Sequence, residues 1–356
     1  MQAHRYLLSS LIILLLTLTV GTPALASDRC SIAWSHYTGW EPWGYIADSG
    51  IAEKWGDKYD VSIEIELIND YIESINQFTA GTFDGVTATN MDALTIPAVG
   101  GVDTTVLIVG DFSNGNDAIL VREKDTAKKW NIKSLAGQRV ALVELSVSHY
   151  LLARALDMNQ LSERDLTPVN TSDADIASVF LSGGNGTVVV TWNPIVMSLG
   201  ESLGEEARIL FDSSQIPGEI IDTLVVRTDV SDACKRALTG AWYEAMGLMA
   251  KSDQTALAAM AEQAGGTLEQ FRAQLGTTSM FYDASEAVSF VRGSVLRGTM
   301  DKVRQFSFDK GLFAEGAPSP DVVGIEFPDG SVLGDKGNVT MRFDDTYMEL
   351  AAKGQL

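Results

Sequence analysis

Basic residues are scarce in this chain. It contains 26 Lys and Arg residues against 47 Asp and Glu residues, which gives a formal net charge of -21 at neutral pH. Nucleic-acid binding requires basic patches that neutralise phosphates, so this composition argues against a nucleic-acid partner. The acidic balance says little about the fold, and it only mildly favours cationic over anionic small ligands.

Histidine and the common catalytic motifs are nearly absent. After the N-terminal leader, the only histidines are His36 and His149. There is no His-Glu-x-x-His, Gly-x-Ser-x-Gly or Cys-x-x-Cys motif, and no Gly-x-Gly-x-x-Gly follows a predicted strand. We therefore expect a binding protein without cofactor or metal. An exported enzyme stays open as an alternative, because Asp92 and Glu144 could act as an acid/base pair.

Cysteine occurs only twice, as Cys30 and Cys234. Unpaired thiols are uncommon in exported proteins, which favours one disulfide between the first strand and a distant helix. The sequence leaves the pairing open, because it does not show whether the two Cα atoms come within about 7 Å of each other.

Long apolar runs are confined to the first 26 residues. Arg5 precedes an almost wholly apolar stretch over 7–20, and Ala24-Leu25-Ala26 has the small-x-small pattern of a signal-peptide cleavage site. We expect cleavage after Ala26, no lipid anchor, and a soluble protein outside the cytoplasm. A mature chain of about 330 residues is long for one core, so two lobes are predicted.

Aromatic residues crowd one short segment directly after the leader. The run 34–45 holds three Trp and two Tyr, namely Trp34, Tyr37, Trp40, Trp43 and Tyr45. Gly39, Pro42 and Gly44 are interleaved with the rings, which excludes a single long helix or strand. Rings on an irregular segment offer flat walls and lose little rotamer entropy, so this segment is predicted to form one wall of a small-ligand pocket.

Strands and helices alternate along the chain and the alternation restarts after residue 116. This pattern predicts an α/β fold of two lobes, each a mostly parallel sheet flanked by helices, with a ligand cleft between them. Lobe 1 is predicted over 27–116 plus 217–356, and lobe 2 over 117–216. A single long helix is predicted over 252–275, and the turn-rich segment from Phe306 is predicted to strap over lobe 1.

Four short motifs carry a resemblance to a known family. They are Ala80-Gly81-Thr-Phe83-Asp84-Gly85, Thr89-Asn90-Met91-Asp92-Ala93-Leu94, Trp192-Asn193-Pro194, and Arg342-Phe343-Asp344-Asp345-Thr346-Tyr347-Met348. With the leader and the element order, they resemble periplasmic solute-binding proteins of ABC importers, of the nitrate/sulfonate/taurine type. The last two motifs resemble the subgroup associated with urea-carboxylase-type genes, which implies urea, guanidine or a related nitrogen compound as the ligand.

The resemblance implies a type II-like periplasmic-binding-protein fold, a monomer, and an importer permease as partner. It also implies that the ligand lies between loops of lobe 1 and helix N-termini of lobe 2. The ligand-binding residues predicted in this way are Tyr37, Trp40, Trp43, Asn90, Asp92, Glu144, Ser146, Ser148, Trp192, Asn193 and Asp222.

The charge of these motifs favours a cationic ligand. Anion-binding members supply Arg, Lys or free amides to the ligand, whereas the corresponding pocket motifs here supply Glu41, Asp92, Glu144 and Asp222 and no basic residue. A guanidinium could stack on Trp40 or Trp43, and its N–H donors match a carboxylate of Asp92, Glu144 or Asp222. A sulfonate, nitrate or thiamine-type pyrimidine ligand and a role as a sensor domain remain alternatives, and importer genes beside this gene would favour transport.

Several of these residues also suit purely structural roles. Asp92, Ser146, Ser148 and Asn193 are residue types that cap helices, and Asp222 suits the solvated start of a strand. His149 lies inside a predicted helix, where a packed or surface position accounts for it without a ligand.

Overall fold

The computed structural model describes residues 28–125, 127–313 and 317–356. The predicted leader and its cleavage site after Ala26 lie outside these ranges. The described strands form two sheets, one of nine strands and one of five. Among the described residues, no helix is long and apolar enough to cross a membrane.

The nine-stranded sheet contains the start and the end of the described chain. Its strands are β1 (Asp28–Trp34), β2 (Val61–Leu67), β3 (Gly85–Thr89), β4 (Thr104–Ser113), β10 (Ile221–Arg227), β11 (Thr278–Met280), β12 (Gly324–Glu326), β13 (Val332–Gly334) and β14 (Val339–Phe343). Their order is β13-β12-β14-β4-β10-β3-β1-β2, with β11 added beside β4. Strands β1, β2 and β3 are parallel, whereas β10 runs antiparallel between β3 and β4.

The five-stranded sheet is built from the middle of the chain, in the order β7-β6-β8-β5-β9. Here β6 is parallel to β7 and β8, and β5 is antiparallel to β8 and β9. The bounds are β5 (Ala118–Arg122), β6 (Arg139–Leu142), β7 (Thr167–Asn170), β8 (Thr187–Thr191) and β9 (Ala207–Asp212). We call the part around the first sheet lobe 1 and the part around this sheet lobe 2.

Helices cover both sheets. In lobe 1 they are α1 (Glu41–Asp48), α2 (Ile51–Tyr59), α3 (Tyr71–Thr79), α4 (Asn90–Ala93), α8 (Asp232–Ala250), α9 (Gln254–Gln263), α10 (Leu268–Leu275), α11 (Ala284–Arg292), α12 (Ser294–Asp309) and α13 (Thr346–Ala352). In lobe 2 they are α5 (Val147–Met158), α6 (Asp173–Ser182) and α7 (Ile195–Leu203).

Two segments cross between the lobes and are tied to each other. They are 114–117, which joins β4 to β5, and 213–220, which joins β9 to β10. The hydroxyls of Ser113 and Ser213 are hydrogen-bonded at 2.6 Å, and the Gly115 N–H donates to Ser213 Oγ at 2.7 Å. The crossings therefore form one paired connection beside the cleft.

The two cysteines are joined in this structure. Cys30 in β1 and Cys234 in α8 form a disulfide, with Cα atoms 5.7 Å apart. Both residues are buried in the main hydrophobic core. The bond fixes the first strand of lobe 1 to the long helix that packs beside it.

Two sequence-based predictions of local structure were wrong. The helix predicted over 252–275 is two helices, α9 and α10, because Gly265 adopts a positive φ of 71° and ends the first of them. The segment from Phe306 does not simply strap over lobe 1. Helix α12 extends to Asp309, and β12 and β14 then extend the nine-stranded sheet through parallel pairing, with β14 beside β4.

Candidate ligand-binding site

A small cavity lies between the two lobes. It is narrow, with a volume of about 10 Å³ for the centre of a water-sized sphere, and is lined by Tyr37, Trp40, Tyr71, Thr89, Asp117, Val147, Trp192 and Asp222. The loop after β1 supplies two of the rings, and the adjacent ends of β3 and β10 supply Thr89 and Asp222. Lobe 2 contributes Val147 at the start of α5 and Trp192 directly after β8. The cavity thus lies at strand ends, where open α/β sheets bind ligands.

Four aromatic rings form a continuous row through the cavity wall. Tyr37 and Trp40 meet edge to face with ring centroids 5.0 Å apart, and Trp40 lies 5.5 Å from Tyr71. The edge of Trp192, from lobe 2, meets Tyr71 at 5.7 Å, and its Nε1–H donates to the His36 carbonyl at 3.2 Å. Trp192 therefore joins the lobes, and all four rings are buried.

A pair of carboxyl groups from neighbouring strands lies behind and beside these rings. Asp222 in β10 is directly opposite Asp111 in β4, and both side chains are buried. The Tyr37 hydroxyl donates to Asp111 Oδ1 at 2.8 Å. Within the described residues, no group other than the facing carboxyl donates to the second oxygen of each acid, Asp111 Oδ2 and Asp222 Oδ2.

Burial makes the ionised form of these groups unfavourable. It raises the pKa of Asp111 to about 7, and burial together with the negative charge of Asp111 raises the pKa of Asp222 well above its usual range. Asp117, on the crossing segment, is also buried, and burial raises its pKa to about 7. None of the residues that line the cavity is basic. The site is therefore a concentration of acidic groups without an internal counter-charge.

A fourth buried carboxyl group, that of Asp92, lies behind the cavity wall. Its Oδ2 accepts hydrogen bonds from the Tyr71 hydroxyl at 2.8 Å, the Thr89 hydroxyl at 2.9 Å and the Val147 N–H at 3.4 Å. Burial raises the pKa of Asp92 to about 6, and these three donors oppose that rise.

The structure brings four of the residues predicted from the sequence to the cavity: Tyr37, Trp40, Trp192 and Asp222. Asp92 lies one layer behind them. Ser146 and Ser148 lie at the start of α5, where Ser146 Oγ accepts from the Ser148 N–H at 3.2 Å, as in the alternative capping role. The Ser148 hydroxyl is buried and has no hydrogen-bond partner among the described residues.

The remaining predicted residues lie away from the cavity. Trp43 stacks on Trp242 in the core, with ring centroids 5.0 Å apart, because it lies on the buried face of α1. Glu144 is only half-buried and does not line the cavity. Asn90 and Asn193 are buried but occupied by other bonds: Asn90 Oδ1 accepts from the Ile221 N–H at 3.1 Å, and Asn193 Oδ1 accepts from Met197 N–H at 2.9 Å.

Several cavity residues were not predicted. Tyr71, Thr89, Asp117 and Val147 line the cavity, and Asp111 lies beside Asp222. Asp117 directly follows the Asn114-Gly115-Asn116 turn where the alternation breaks, which is a signal for a crossing segment. Asp111 carries a weaker signal: it is an acidic residue inside an otherwise buried, apolar strand.

The family model of the "ABC transporter, phosphonate, periplasmic substrate-binding protein" matches residues 50–268. The chain belongs to this family. Proteins of this family are periplasmic substrate-binding proteins of ABC transporters, which bind small molecules and partner a permease. No curated protein matches this substrate-binding protein in sequence.

Solved structures share the fold of this substrate-binding protein. The alkanesulfonate-binding protein SsuA from Xanthomonas axonopodis pv. citri, bound to MOPS, is 17% identical with a TM-score of 0.65, over 81% of this chain and 95% of that chain. The aliphatic sulphonate-binding protein SsuA from Escherichia coli is 18% identical with a TM-score of 0.64, over 81% and 94%. The predicted two-lobe periplasmic-binding-protein fold is confirmed by these likenesses.

Proposed function

We propose that this substrate-binding protein captures a small organic cation with N–H donors, of the guanidinium type, and delivers it to an ABC importer permease. The observation that carries this proposal is the set of buried carboxyl groups of Asp111, Asp117 and Asp222, beside a cavity lined by no basic residue. Burying a charge without a partner is costly, and a cationic ligand would remove that cost.

The hydrogen-bonding state of the acids favours a cation with N–H groups. Among the described residues, Asp111 Oδ2 and Asp222 Oδ2 are buried acceptors whose only nearby donor is the facing carboxyl group when it is protonated. A planar guanidinium presents several N–H donors to carboxylates, in the geometry of an arginine head. A quaternary ammonium would satisfy the charge but would leave these acceptors unpaired, which costs about 1–3 kcal/mol for each group.

The rings complete a cation site. Cations bind over aromatic faces within about 6 Å of the ring centroid. Trp40, Tyr71 and Trp192 line the same small cavity as Asp222. An anionic ligand such as a phosphonate or a sulfonate would meet these acids without a basic partner, so the charge of the site disfavours it.

Urea is a second candidate ligand, because one buried donor beside the cavity needs a hydrogen-bond acceptor. Trp40 Nε1–H is buried and has no acceptor among the described residues. Guanidinium has no acceptor to offer it, whereas urea has a carbonyl oxygen together with N–H donors. With the carboxyl groups partly protonated, as their raised pKa values allow, a neutral ligand would also fit the site.

Calorimetric titration of the mature protein tests both candidates. We expect guanidinium chloride to bind at about neutral pH and to bind more tightly as pH rises, because the carboxyl groups then ionise. Urea binding would not strengthen with pH. Taurine and methylphosphonate are expected not to bind. Binding of either anion without binding of guanidinium or urea would overturn the proposal.

A further inference from the structure

The carboxylate of Asp92 connects the two lobes. Asp92 belongs to α4 of lobe 1, yet its Oδ2 accepts a hydrogen bond from the Val147 N–H of lobe 2 at 3.4 Å. Two hydroxyls of lobe 1, those of Tyr71 and Thr89, hold the same oxygen at 2.8 and 2.9 Å. Asp92 is fully buried and is not among the residues that line the cavity. Its carboxylate therefore serves a contact between the lobes.

The contact lies at a position that attracts anions. Val147 is the first residue of the 12-residue helix α5. The first N–H groups of a helix lack partners within the helix, and its N-terminus carries a partial positive charge, so anions bind there. Ser146 Oγ accepts the Ser148 N–H. The Val147 N–H donates to Asp92 instead. The Asp92 carboxylate therefore occupies the position at the start of α5 that would otherwise stabilise a bound anion.

A second buried group on the same helical turn supports this assignment. The Ser148 hydroxyl is fully buried and has no hydrogen-bond partner among the described residues. A free anion at the start of α5 would find an N–H donor, a hydroxyl donor and the helix dipole. In this chain, the fixed carboxylate of Asp92 already lies against that helix end.

We propose that Asp92 is a built-in anion that joins lobe 1 to the start of α5, closes the cleft without an anionic ligand, and excludes anions from this position. The inference rests on the proposed function in one respect: it explains how a chain of a phosphonate-type family can take a cation. A second anion beside Asp92 would be repelled, because like charges in a buried site cannot be screened by water.

Replacing the carboxylate and supplying a free one tests the inference. In Asp92→Ala, we expect the radius of gyration from small-angle X-ray scattering to exceed that of the wild type. Sodium formate should restore the compact form and raise Tm, whereas sodium chloride at the same ionic strength should not. The wild type should show no specific response to formate. Formate rescue would therefore show that a carboxylate at this position closes the cleft.

The Val147 N–H provides the matched control. Proline is well suited to the first position of a helix, and Ser146, which precedes it, has the extended backbone that proline requires. Val147→Pro therefore removes the donor with little strain on α5. We expect Val147→Pro to be less compact than the wild type, and the double variant with Asp92→Ala to gain nothing from formate.

Three results would overturn the inference. They are a wild-type radius of gyration in both Asp92→Ala and Val147→Pro, a failure of formate to compact Asp92→Ala, and equal formate rescue in the double variant. If Asp92→Ala does not fold, the isosteric Asp92→Asn replaces it in the scattering comparison and is expected to be less compact, while Val147→Pro tests the donor. Titration of guanidinium into the wild type tests the proposed function separately, because formate rescue needs no cation.

Discussion

Asp111 and Asp222 lie directly opposite each other on the antiparallel strands β4 and β10, in the interior of lobe 1. The Tyr37 hydroxyl donates to Asp111 Oδ1 at 2.8 Å, and each acid has a second buried oxygen whose only nearby donor among the described residues is the other acid when that acid is protonated. Two buried acids in this arrangement cannot both ionise cheaply, so protons and cations compete for the site.

The stability of the protein without ligand should fall as pH rises. The pKa values of Asp111 and Asp117 are raised to about 7 in the folded protein, against an ordinary value of 3.8. Between these limits the folded state holds protons that the unfolded state releases. The resulting contribution to the free energy of unfolding is complete below the unfolded pKa and is lost as pH rises to the folded pKa.

Thermal unfolding followed by circular dichroism measures this effect, since urea and guanidinium are candidate ligands and cannot serve as denaturants. Because a tenfold change in proton affinity corresponds to about 1.4 kcal/mol, we expect a loss on the order of a few kcal/mol between about pH 5 and about pH 8. Glu219, whose pKa is lowered to about 2, changes its charge below this pH range and so does not contribute to the loss. A Tm that rises across the window would contradict the assignment.

Neutralising Asp222 should weaken cation binding while stabilising the protein without ligand. Asp222→Asn keeps the shape of the side chain and removes the charge that faces Asp111. We expect guanidinium affinity to fall at least about tenfold, which is about 1.4 kcal/mol, and Tm at about pH 8 to rise because the repulsion is relieved. The measurements are calorimetry and thermal unfolding.

Glu144→Gln is the matched control for this variant. It removes the same charge from a half-buried residue that does not line the cavity. We expect unchanged affinity and unchanged Tm. Equal loss of affinity in both variants would mean that net charge, and not the buried pair, attracts the cation.

The sequence predicts those parts of the fold that depend on local patterns. Alternating apolar residues at Val61, Ile63, Ile65 and Leu67 predict a strand, which the structure has as β2, and the short strand predicted at Gly85 to Thr89 is β3. The same reasoning failed at Ser252 to Leu275, where helical spacing continued through a glycine that adopts a positive φ. Local composition does not show when a glycine ends a helix.

The site was predicted only in part, because its geometry depends on distant pairing. Tyr37, Trp40, Trp192 and Asp222, which line the cavity, were predicted from what the family resemblance implies for the loops that carry them. Asp111 acquires its role only from the register of β4 against β10, over a separation of more than a hundred residues. Tyr71 begins an ordinary amphipathic helix, and nothing in its own segment shows that its hydroxyl reaches Asp92.

The disulfide should support stability without taking part in binding. Cys30 and Cys234 lie in the core of lobe 1, and neither lines the cavity. Replacing both residues with Ser is expected to lower the free energy of unfolding by about 2–5 kcal/mol, as for other native disulfides. Guanidinium affinity should stay within about twofold of the wild type, because the bond does not touch the carboxyl pair. Loss of binding in a variant that is still folded would show that the disulfide also positions the aromatic segment 34–45.

Substitution of Trp40 should lower ligand affinity, whereas substitution of Trp43 should lower protein stability. Trp40 lines the cavity, whereas Trp43 stacks on Trp242 in the core. Leucine keeps apolar volume but has no aromatic face, so Trp40→Leu should weaken guanidinium binding by about tenfold through the lost cation–π contact. Trp43→Leu should leave affinity nearly unchanged and lower the free energy of unfolding by about 2 kcal/mol. Calorimetry measures the affinity of the two variants, and thermal unfolding measures their stability. A larger loss of affinity in Trp43→Leu than in Trp40→Leu would contradict the prediction that Trp40 contacts the ligand.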